Sequence, residues 1–152
     1  MQITLLIVDD DINVLSSLGK TFTTMTQGFL VLSATSANEG YAMLKERRPD
    51  VVVLDIRLGS KSGMDLLKDF DNYFNEPLNR KYKPRFIVIT AYPDEKIRKE
   101  AEEIYHVDAF LMKPFNDSEI RRAVVTSVQK ILVSFHDQLC PYSKRPPIGG
   151  QG

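Results

Sequence analysis

The chain has 152 residues, 43% of them hydrophobic and 26% charged, and its 20 basic residues are balanced by 20 acidic ones. These values are ordinary for one soluble folded domain, and the lack of net positive charge gives no support to direct binding of nucleic acid. No apolar run approaches the ~20 residues of a membrane-spanning helix, so we expect no membrane association.

Two further features indicate a reducing compartment. The sequence enters a strand-like run at Ile3 without the charged start and cleavage site of a signal peptide. A single cysteine, Cys140, cannot form an internal disulfide bond and has no neighbouring zinc ligands. We therefore expect a cytoplasmic protein.

Five short apolar runs along the chain predict β-strands. Each run is largely continuous rather than alternating, which is typical of strands that are buried on both faces in a parallel sheet. The runs are Ile3–Val8, Phe29–Leu32, Val51–Leu54, Phe86–Ile89 and Ala109–Met112.

Amphipathic stretches separate these strands and predict five helices. Their apolar residues recur at three- and four-residue spacing, the period of one helix face. They are Ile12, Leu15, Leu18, Phe22 and Met25; Tyr41 and Leu44; Met64, Leu67, Phe70 and Phe74; Ile97, Ala101 and Ile104; and Ile120, Ala123, Val124, Val128, Ile131 and Phe135. Five strand–helix repeats predict a doubly wound α/β fold with a five-stranded parallel sheet, whose functional site lies at the carboxyl ends of the strands.

Two segments fall outside this repeat. Residues 75–84 are polar and contain two prolines, which predicts a long surface loop. Residues 140–152 are rich in proline and glycine, which predicts a disordered tail or the start of a linker. We therefore expect one folded domain at residues 1–139, followed by that tail.

Polar residues follow four of the predicted strands directly. Asp9 and Asp10 follow the first strand, Asp55 the third, Thr90 the fourth and Lys113 the fifth. Because the carboxyl ends of parallel strands meet at one edge of a sheet, these side chains should converge there. A cluster of carboxylates at that edge indicates a bound cation, since like charges packed together otherwise repel each other.

The residue types at this edge suit phosphoryl transfer. Mg²⁺ prefers oxygen ligands, which Asp10 and Asp55 would supply, while Asp9 would hold a metal-bound water. A carboxylate beside a metal can act as a nucleophile, and Asp55 is the most central of the three. Lys113 would neutralise charge on the phosphoryl oxygens, and the hydroxyl of Thr90 would donate a hydrogen bond to them.

The sequence resembles the receiver domain of two-component response regulators. The resemblance rests on the segments "IVDDD", "VVVLDIRLGSKSGMDLL", "IVITAY" and "FLMKPF", which occur in this order at compatible spacing and span about residues 2–137. It implies a flavodoxin-like (βα)5 fold similar to that of chemotaxis regulators. It also implies a signalling domain rather than an enzyme, with self-phosphorylation and autodephosphorylation as its own chemistry.

The resemblance assigns a role to each site residue. Asp55 would be the phosphoacceptor, and Mg²⁺ would be held by Asp9, Asp10, Asp55 and the backbone carbonyl of Arg57. Thr90 and Lys113 would be the phosphate-sensing hydroxyl and the lysine of the family, and Phe110 its switch aromatic. The Lys113–Pro114 bond would be cis, and Gly63 matches the loop glycine that follows the acceptor.

The resemblance also implies partners. A sensor histidine kinase would donate the phosphoryl group to Asp55. Attraction of Thr90 to the phosphate and inward rotation of Phe110 would then change the surface formed by the fourth helix, fifth strand and fifth helix. An output domain or effector would bind that surface, and phosphorylation could also promote a homodimer.

The sequence departs from the family pattern at a few positions. Gly59 stands where many members have proline, and the loop at residues 75–84 is longer than in compact members. Arg57 and Tyr92 occupy the two positions that tune access of water to the acyl phosphate in the family. Two bulky side chains there predict slow self-hydrolysis.

Two other functions remain open from the sequence. A phosphatase of the haloacid dehalogenase type also uses an aspartate nucleophile and Mg²⁺, but its acid–base aspartate would stand at Arg57, and arginine cannot serve as a general acid. A receiver-like interaction module that takes no phosphate is the main alternative. Such a module would typically lack an acidic residue or the lysine, and this chain has them all.

Overall fold

The repeat of apolar runs and amphipathic stretches corresponds to alternating strands and helices in the structure, a computed structural model that describes residues 2–25, 28–59, 61–92 and 94–139. The strands are β1 (Ile3–Val8), β2 (Phe29–Ala34), β3 (Val51–Asp55), β4 (Arg57–Leu58), β5 (Lys61–Ser62), β6 (Arg85–Thr90) and β7 (Ala109–Met112). The helices are α1 (Ile12–Thr23), α2 (Ala37–Arg47), α3 (Gly63–Asn75), α4 (Glu95–Glu103) and α5 (Asp117–Leu139). The predicted tail at residues 140–152 lies outside the described residues.

Short polar side chains begin four of these helices. Asp11, Ser36, Ser62 and Asp94 each accept a hydrogen bond from a backbone N–H of the first helical turn. Such caps satisfy amide groups that have no partner inside the helix. The start of α5 is capped in the same way, because Asn116 Oδ1 accepts the backbone N–H of Glu119 at 2.9 Å.

The main sheet has five parallel strands in the order β2-β1-β3-β6-β7. The chain steps outward from β1 to β2 and then returns to β3 on the other side, so the strand order reverses between β1 and β3. Ligand sites of open α/β sheets form at such a reversal, outside the carboxyl ends of the strands. The predicted doubly wound, flavodoxin-like fold is confirmed.

Two hydrophobic layers cover the sheet. On one face, strand residues pack against α2, α3 and α4 around the fully buried Phe70. On the other face, alternate strand residues pack against α1 and α5 around the fully buried Phe22. Burial of both faces explains why β1 and β3 are apolar at nearly every position and positions their polar carboxyl ends at the rim.

The predicted burial of all five strands on both faces is wrong for two of them. Strands β2 and β7 are partly exposed because they are the edge strands of the sheet. Three residues of the predicted apolar helix faces are exposed rather than buried. Ile12 begins α1 and is 71% exposed, Ile104 follows the last residue of α4 and is 60% exposed, and Phe135 lies beyond the last buried residue of α5 and is 52% exposed.

A small hairpin follows β3 and was absent from the predicted elements. Strands β4 and β5 pair antiparallel immediately after Asp55. Gly59 lies in its turn with a φ of +62°, a conformation that proline cannot adopt because its ring holds φ near about −65°. The departure of the sequence at this position is therefore explained by the local backbone.

The segment at residues 75–84 is mostly exposed, as predicted, and contains one short 3-10 helix at Arg80–Tyr82. Asn79 donates a side-chain hydrogen bond to the carbonyl of Tyr73, which ties the segment to α3. Within the described ranges, no helix has the combined length and apolar character that crossing a membrane requires.

Candidate functional site

Four strand ends bring the predicted polar residues to one edge of the sheet. Asp9 follows β1, Asp55 ends β3, Thr90 ends β6 and Lys113 follows β7. Because β1, β3, β6 and β7 are consecutive neighbours in the sheet, these ends lie side by side. The convergence expected from the sequence is therefore present in the fold.

Asp9 is fully buried, and both of its carboxylate oxygens have donors. Its Oδ1 accepts the backbone N–H of Asp11 at 2.8 Å, and its Oδ2 accepts a hydrogen bond from Lys113 Nζ at 2.8 Å. Burial nevertheless raises the pKa of Asp9 above its ordinary value, and the neighbouring charge of Asp55 adds to the increase. The site therefore holds one carboxylate whose negative charge is incompletely compensated.

Lys113 bridges the two buried carboxylates. Its Nζ lies 2.8 Å from Asp9 Oδ2 and 2.9 Å from Asp55 Oδ2. Burial alone would lower the pKa of Lys113, but its hydrogen bonds to the two aspartates outweigh that effect and raise it. The ammonium group is thus held in its charged form beside the predicted acceptor.

The backbone around Asp55 is closely packed. Asp55 Oδ1 accepts the backbone N–H of Arg57 at 3.0 Å, and Gly63 donates its N–H to the carbonyl of Ile56 at 2.6 Å. A Cβ atom at Gly63 would lie only 2.7 Å from Ile56 Cα, so a side chain cannot fit there without a backbone shift. Glycine at this position lets α3 begin directly against the backbone of Asp55 and Ile56.

Asp9, Asp10 and Asp55 form a group that fits a hard divalent cation. Each offers a carboxylate oxygen, and these oxygens lie within 4.8 Å of one another. Asp10 is exposed, whereas the other two are buried, so the group opens to water on one side. Three carboxylates with one ammonium leave a local negative excess, and the all-oxygen donor set matches the preference of Mg²⁺.

Thr90 is 1% exposed, and its hydroxyl is engaged within its own loop. The Oγ1 atom accepts the backbone N–H of Tyr92 at 3.1 Å and lies 3.2 Å from the carbonyl oxygen of the same residue, to which it can donate. The carbonyl of Thr90 accepts the backbone N–H of Lys113 at 2.7 Å. This bond links the loop after β6 directly to the lysine.

Phe110 lies on the edge strand β7, three residues before Lys113. It is half-buried on β7 and packs at the margin of the core that underlies α4. A groove of about 270 Å³ separates it from the start of α4 and is lined also by Asp94, Glu95, Arg98 and Met112. The ring therefore stands between the core and an open surface.

The side chains of Arg57 and Tyr92 stack on each other, a contact that the sequence did not predict. The guanidinium carbon of Arg57 lies 3.9 Å from the centroid of the Tyr92 ring. The sequence identified both positions separately, but only the folded loops bring them together. No spacing or composition signal in the chain could have paired them.

The Lys113–Pro114 peptide bond is cis. Both residues line a cavity of about 460 Å³ together with Ala91, Phe115 and one face of α1 around Val14 and Leu18.

Comparison with protein families gives one match that covers most of the chain. Residues 5–125 match the model of the response regulator receiver domain. The chain is 34% identical over 121 residues to the acid tolerance regulatory protein ActR of Sinorhizobium medicae, which covers 80% of this chain and 57% of ActR. It is 29% identical over 120 residues to the sporulation initiation phosphotransferase F of Bacillus subtilis, which covers 79% of this chain and 89% of that protein. The chain spans about half the length of the first curated relatives that it matches.

Solved structures show the same fold. A CheY-like response regulator receiver domain protein from Methanospirillum hungatei superposes with a TM-score of 0.71 at 24% identity, over 86% of this chain and 96% of that one. The signal receiver domain of a putative LuxO repressor protein from Vibrio parahaemolyticus gives a TM-score of 0.74 at 17% identity, over 88% of this chain and 95% of that one.

Proposed function

The chain belongs to the response regulator receiver domain family, and on this premise we propose that Asp55 accepts a phosphoryl group from a histidine kinase in a Mg²⁺-dependent reaction. The observation that carries the proposal is the Lys113 ammonium group, which bridges the buried carboxylates of Asp9 and Asp55 beside the exposed Asp10. This arrangement combines a nucleophile, a fixed positive charge and an oxygen ligand set. The relative named sporulation initiation phosphotransferase F adds support, since this chain covers most of its length.

The reaction that we propose is nucleophilic displacement at phosphorus. An oxygen of Asp55 forms a bond to phosphorus, the bond from phosphorus to the donor's histidine nitrogen breaks, and the bonding electrons leave with the imidazole. Lys113 faces the oxygens on which negative charge develops, and Asp9 keeps the ammonium group in place. A Mg²⁺ ion held by Asp9, Asp10, Asp55 and the Arg57 carbonyl would supply further neutralisation of that charge.

The conformational output would depend on Thr90 and Phe110. The Thr90 hydroxyl contacts only the backbone of Tyr92 among the described residues, and these are bonds that it must give up to reach a phosphoryl group. Movement of that loop would open space for the half-buried Phe110. The surface read by a partner would then consist of α4, β7 and α5, because Phe110 lies between the core and α4.

The same proposal includes the organisation of the chain. Residues 1–139 would form the receiver domain, and residues 140–152 would form a tail or linker toward an output domain or effector. We propose that this domain does not itself bind nucleic acid and that it forms a homodimer on phosphorylation. We propose a cytoplasmic location because histidine kinases present their donor there.

The decisive experiment is the intact mass of the protein after incubation with acetyl phosphate. Wild-type protein should gain the mass of one phosphoryl group with Mg²⁺ and none with EDTA. Asp55→Asn should abolish the gain because the nucleophilic carboxylate is lost. Asp11→Asn is the matched control, since Asp11 belongs to the same aspartate run but caps α1, and asparagine caps helices equally well.

Three results would contradict the proposal. The Asp55→Asn protein could still be labelled, the labelling could be independent of Mg²⁺, or the wild type could remain unlabelled under every condition. The last result would favour a receiver-like interaction module that takes no phosphate. The haloacid dehalogenase alternative is disfavoured because Arg57 stands at the position of the acid–base aspartate, and arginine cannot serve as a general acid.

The metal ligands can be tested separately from the acceptor. Asp10→Asn removes a charged oxygen ligand from the exposed side of the group, so Mg²⁺ affinity should fall by about tenfold or more. Calorimetric titration of Mg²⁺ into the unphosphorylated protein measures the change. Unaltered affinity would remove Asp10 from the ligand set.

A further inference from the structure

A second, basic cavity lies at the opposite end of the sheet from the acidic site. We name it the basal groove, and it has a volume of about 350 Å³. It is formed by the end of α2, the 3-10 turn and the last turns of α5. Its lining residues are Arg48, Pro49, Asp50, Lys81, Tyr82, Lys83, Ile131 and Phe135.

Positive charge predominates in the basal groove. Lys83 forms a long ion pair with Asp71 at 3.4 Å, but in the described part of the chain no carboxylate lies within 4.0 Å of the charged nitrogens of Arg48 or Lys81. The one carboxylate of the groove, Asp50, accepts the backbone N–H of Thr4 at 2.8 Å. The groove therefore has two cations with unused capacity for an anion.

The aromatic ring of Tyr82 holds these two cations in place. The guanidinium carbon of Arg48 lies 3.8 Å from the ring centroid, and Lys81 Nζ lies 4.9 Å from it. The Lys81 ammonium and the Arg48 guanidinium lower the pKa of the Tyr82 hydroxyl, as expected in a positive local field. Both charges thus lie within 5 Å of the centre of one aromatic ring.

Apolar residues of α5 also line the groove. Phe135 is 52% exposed although it belongs to the apolar stripe of α5, and Ile131 lies one turn before it. Cations and an accessible aromatic ring in one groove suit a ligand that joins an anionic group to a flat apolar one. The volume of the groove falls within the ~300–1,000 Å³ that is usual for sites of small molecules.

We propose that the basal groove binds a nucleoside phosphate, with the phosphate on Arg48 and Lys81 and the base against Phe135. Arginine and lysine are the side chains that commonly bind phosphate, and an aromatic ring offers a stacking surface to any base. Binding is reversible and leaves the ligand chemically unchanged. The groove lies between the end of α2 and the start of β6, away from Asp55, so occupancy does not require the acceptor site.

The test is calorimetric titration of AMP and ADP into the protein in EDTA, which removes metal-mediated binding at the acidic site. Wild type and Asp55→Asn should bind with equal affinity. Arg48→Gln and Lys81→Gln should each weaken binding by about tenfold, the loss expected for a charge-assisted hydrogen bond. Lys45→Gln is the matched control, because Lys45 stacks on Tyr41 in the same way but lies outside the groove.

Phe135→Ala tests the proposed contact between Phe135 and the base. It should weaken the binding of AMP and leave the binding of inorganic phosphate unchanged. The proposal is overturned if neither nucleotide binds, if Lys45→Gln loses as much affinity as Lys81→Gln, or if phosphate binds as tightly as AMP. Binding of a glutamate-rich peptide to a protein that binds neither nucleotide would also overturn the proposal, and it would point to a protein partner.

Discussion

Two buried aspartates at opposite ends of the sheet show opposite pKa shifts. Desolvation acts to raise the pKa of both. At Asp108 the hydrogen bonds from Arg85 and Ser127 and the charge of Lys130 outweigh it, so the pKa is lowered. At Asp9 burial prevails and the pKa is raised.

The opposite pKa shifts follow from the number of hydrogen-bond donors that each carboxylate does not share with another acid. Asp108 has a bidentate arginine, with N···O distances of 2.8 and 2.7 Å, and the hydroxyl of Ser127 at 2.8 Å. Asp9 shares its single lysine with Asp55, whose charge repels it. One end of the sheet thus contains a saturated structural ion pair, and the other contains carboxylates that would gain from an added cation.

The largest effect should come from removing the shared lysine. Lys113→Ala leaves two buried carboxylates without their cation and should lower the free energy of unfolding by about 3 kcal/mol in EDTA. Added Mg²⁺ should restore more stability to this variant than to the wild type, because the carboxylates then have a replacement cation. Urea denaturation with and without Mg²⁺ measures both values. If Mg²⁺ raises the free energy of unfolding of both proteins equally, the carboxylates do not gain from an added cation as argued.

Gly63→Ala tests the close packing of Gly63 against the backbone that follows Asp55. The added Cβ would meet the backbone of Ile56 at 2.7 Å, and relief of that contact should cost about 2–3 kcal/mol of the free energy of unfolding. Gly19→Ala is the control, since nothing lies within 4 Å of its added Cβ and alanine in α1 should stabilise by about 0.5–1 kcal/mol. Thermal unfolding of both variants distinguishes a steric cost from a general effect of glycine replacement.

Asp108→Asn removes the ion pair between Arg85 and Asp108. It should destabilise the protein by about 2 kcal/mol at pH 7, because Arg85 loses a buried charged partner. Since the folded pKa of Asp108 lies below the ordinary value of 3.8, its contribution is complete above that value and is lost as pH falls through the lower folded pKa. The difference from wild type should therefore shrink only below about pH 4. Asp69→Asn, which breaks the exposed pair with Lys61, should cost about 0.5 kcal/mol or less.

The smallest effect on stability should come from the contact between Arg57 and Tyr92. Tyr92→Leu should cost about 0.5 kcal/mol of stability, since cation–π contacts at exposed positions are weak. It should nevertheless speed loss of the phosphoryl group from labelled protein if the stack restricts access of water to Asp55. Phosphoryl lifetime measured by intact mass would show this, and Tyr92→Phe should keep the wild-type lifetime.

The amino-acid sequence was sufficient to predict the fold class and the polar residues that meet at the carboxyl edge of the sheet. Continuous apolar runs such as Val51–Leu54 are characteristic of buried parallel strands, and Asp55, Thr90 and Lys113 follow such runs directly. Parallel topology then places these residues at one edge without further information. Capping residues such as Asp11 were equally visible because caps are local interactions.

The three-dimensional structure was needed to establish which faces are exposed and which distant side chains meet. The exposure of Phe135 and the partial exposure of β2 depend on where neighbouring elements end, which periodicity does not record. The Arg57–Tyr92 stack joins residues from two loops, and the basal groove joins α2, the 3-10 turn and α5. Contacts between segments far apart in the chain depend on the three-dimensional path of the backbone, whereas helices, strands and caps follow from interactions within a few residues.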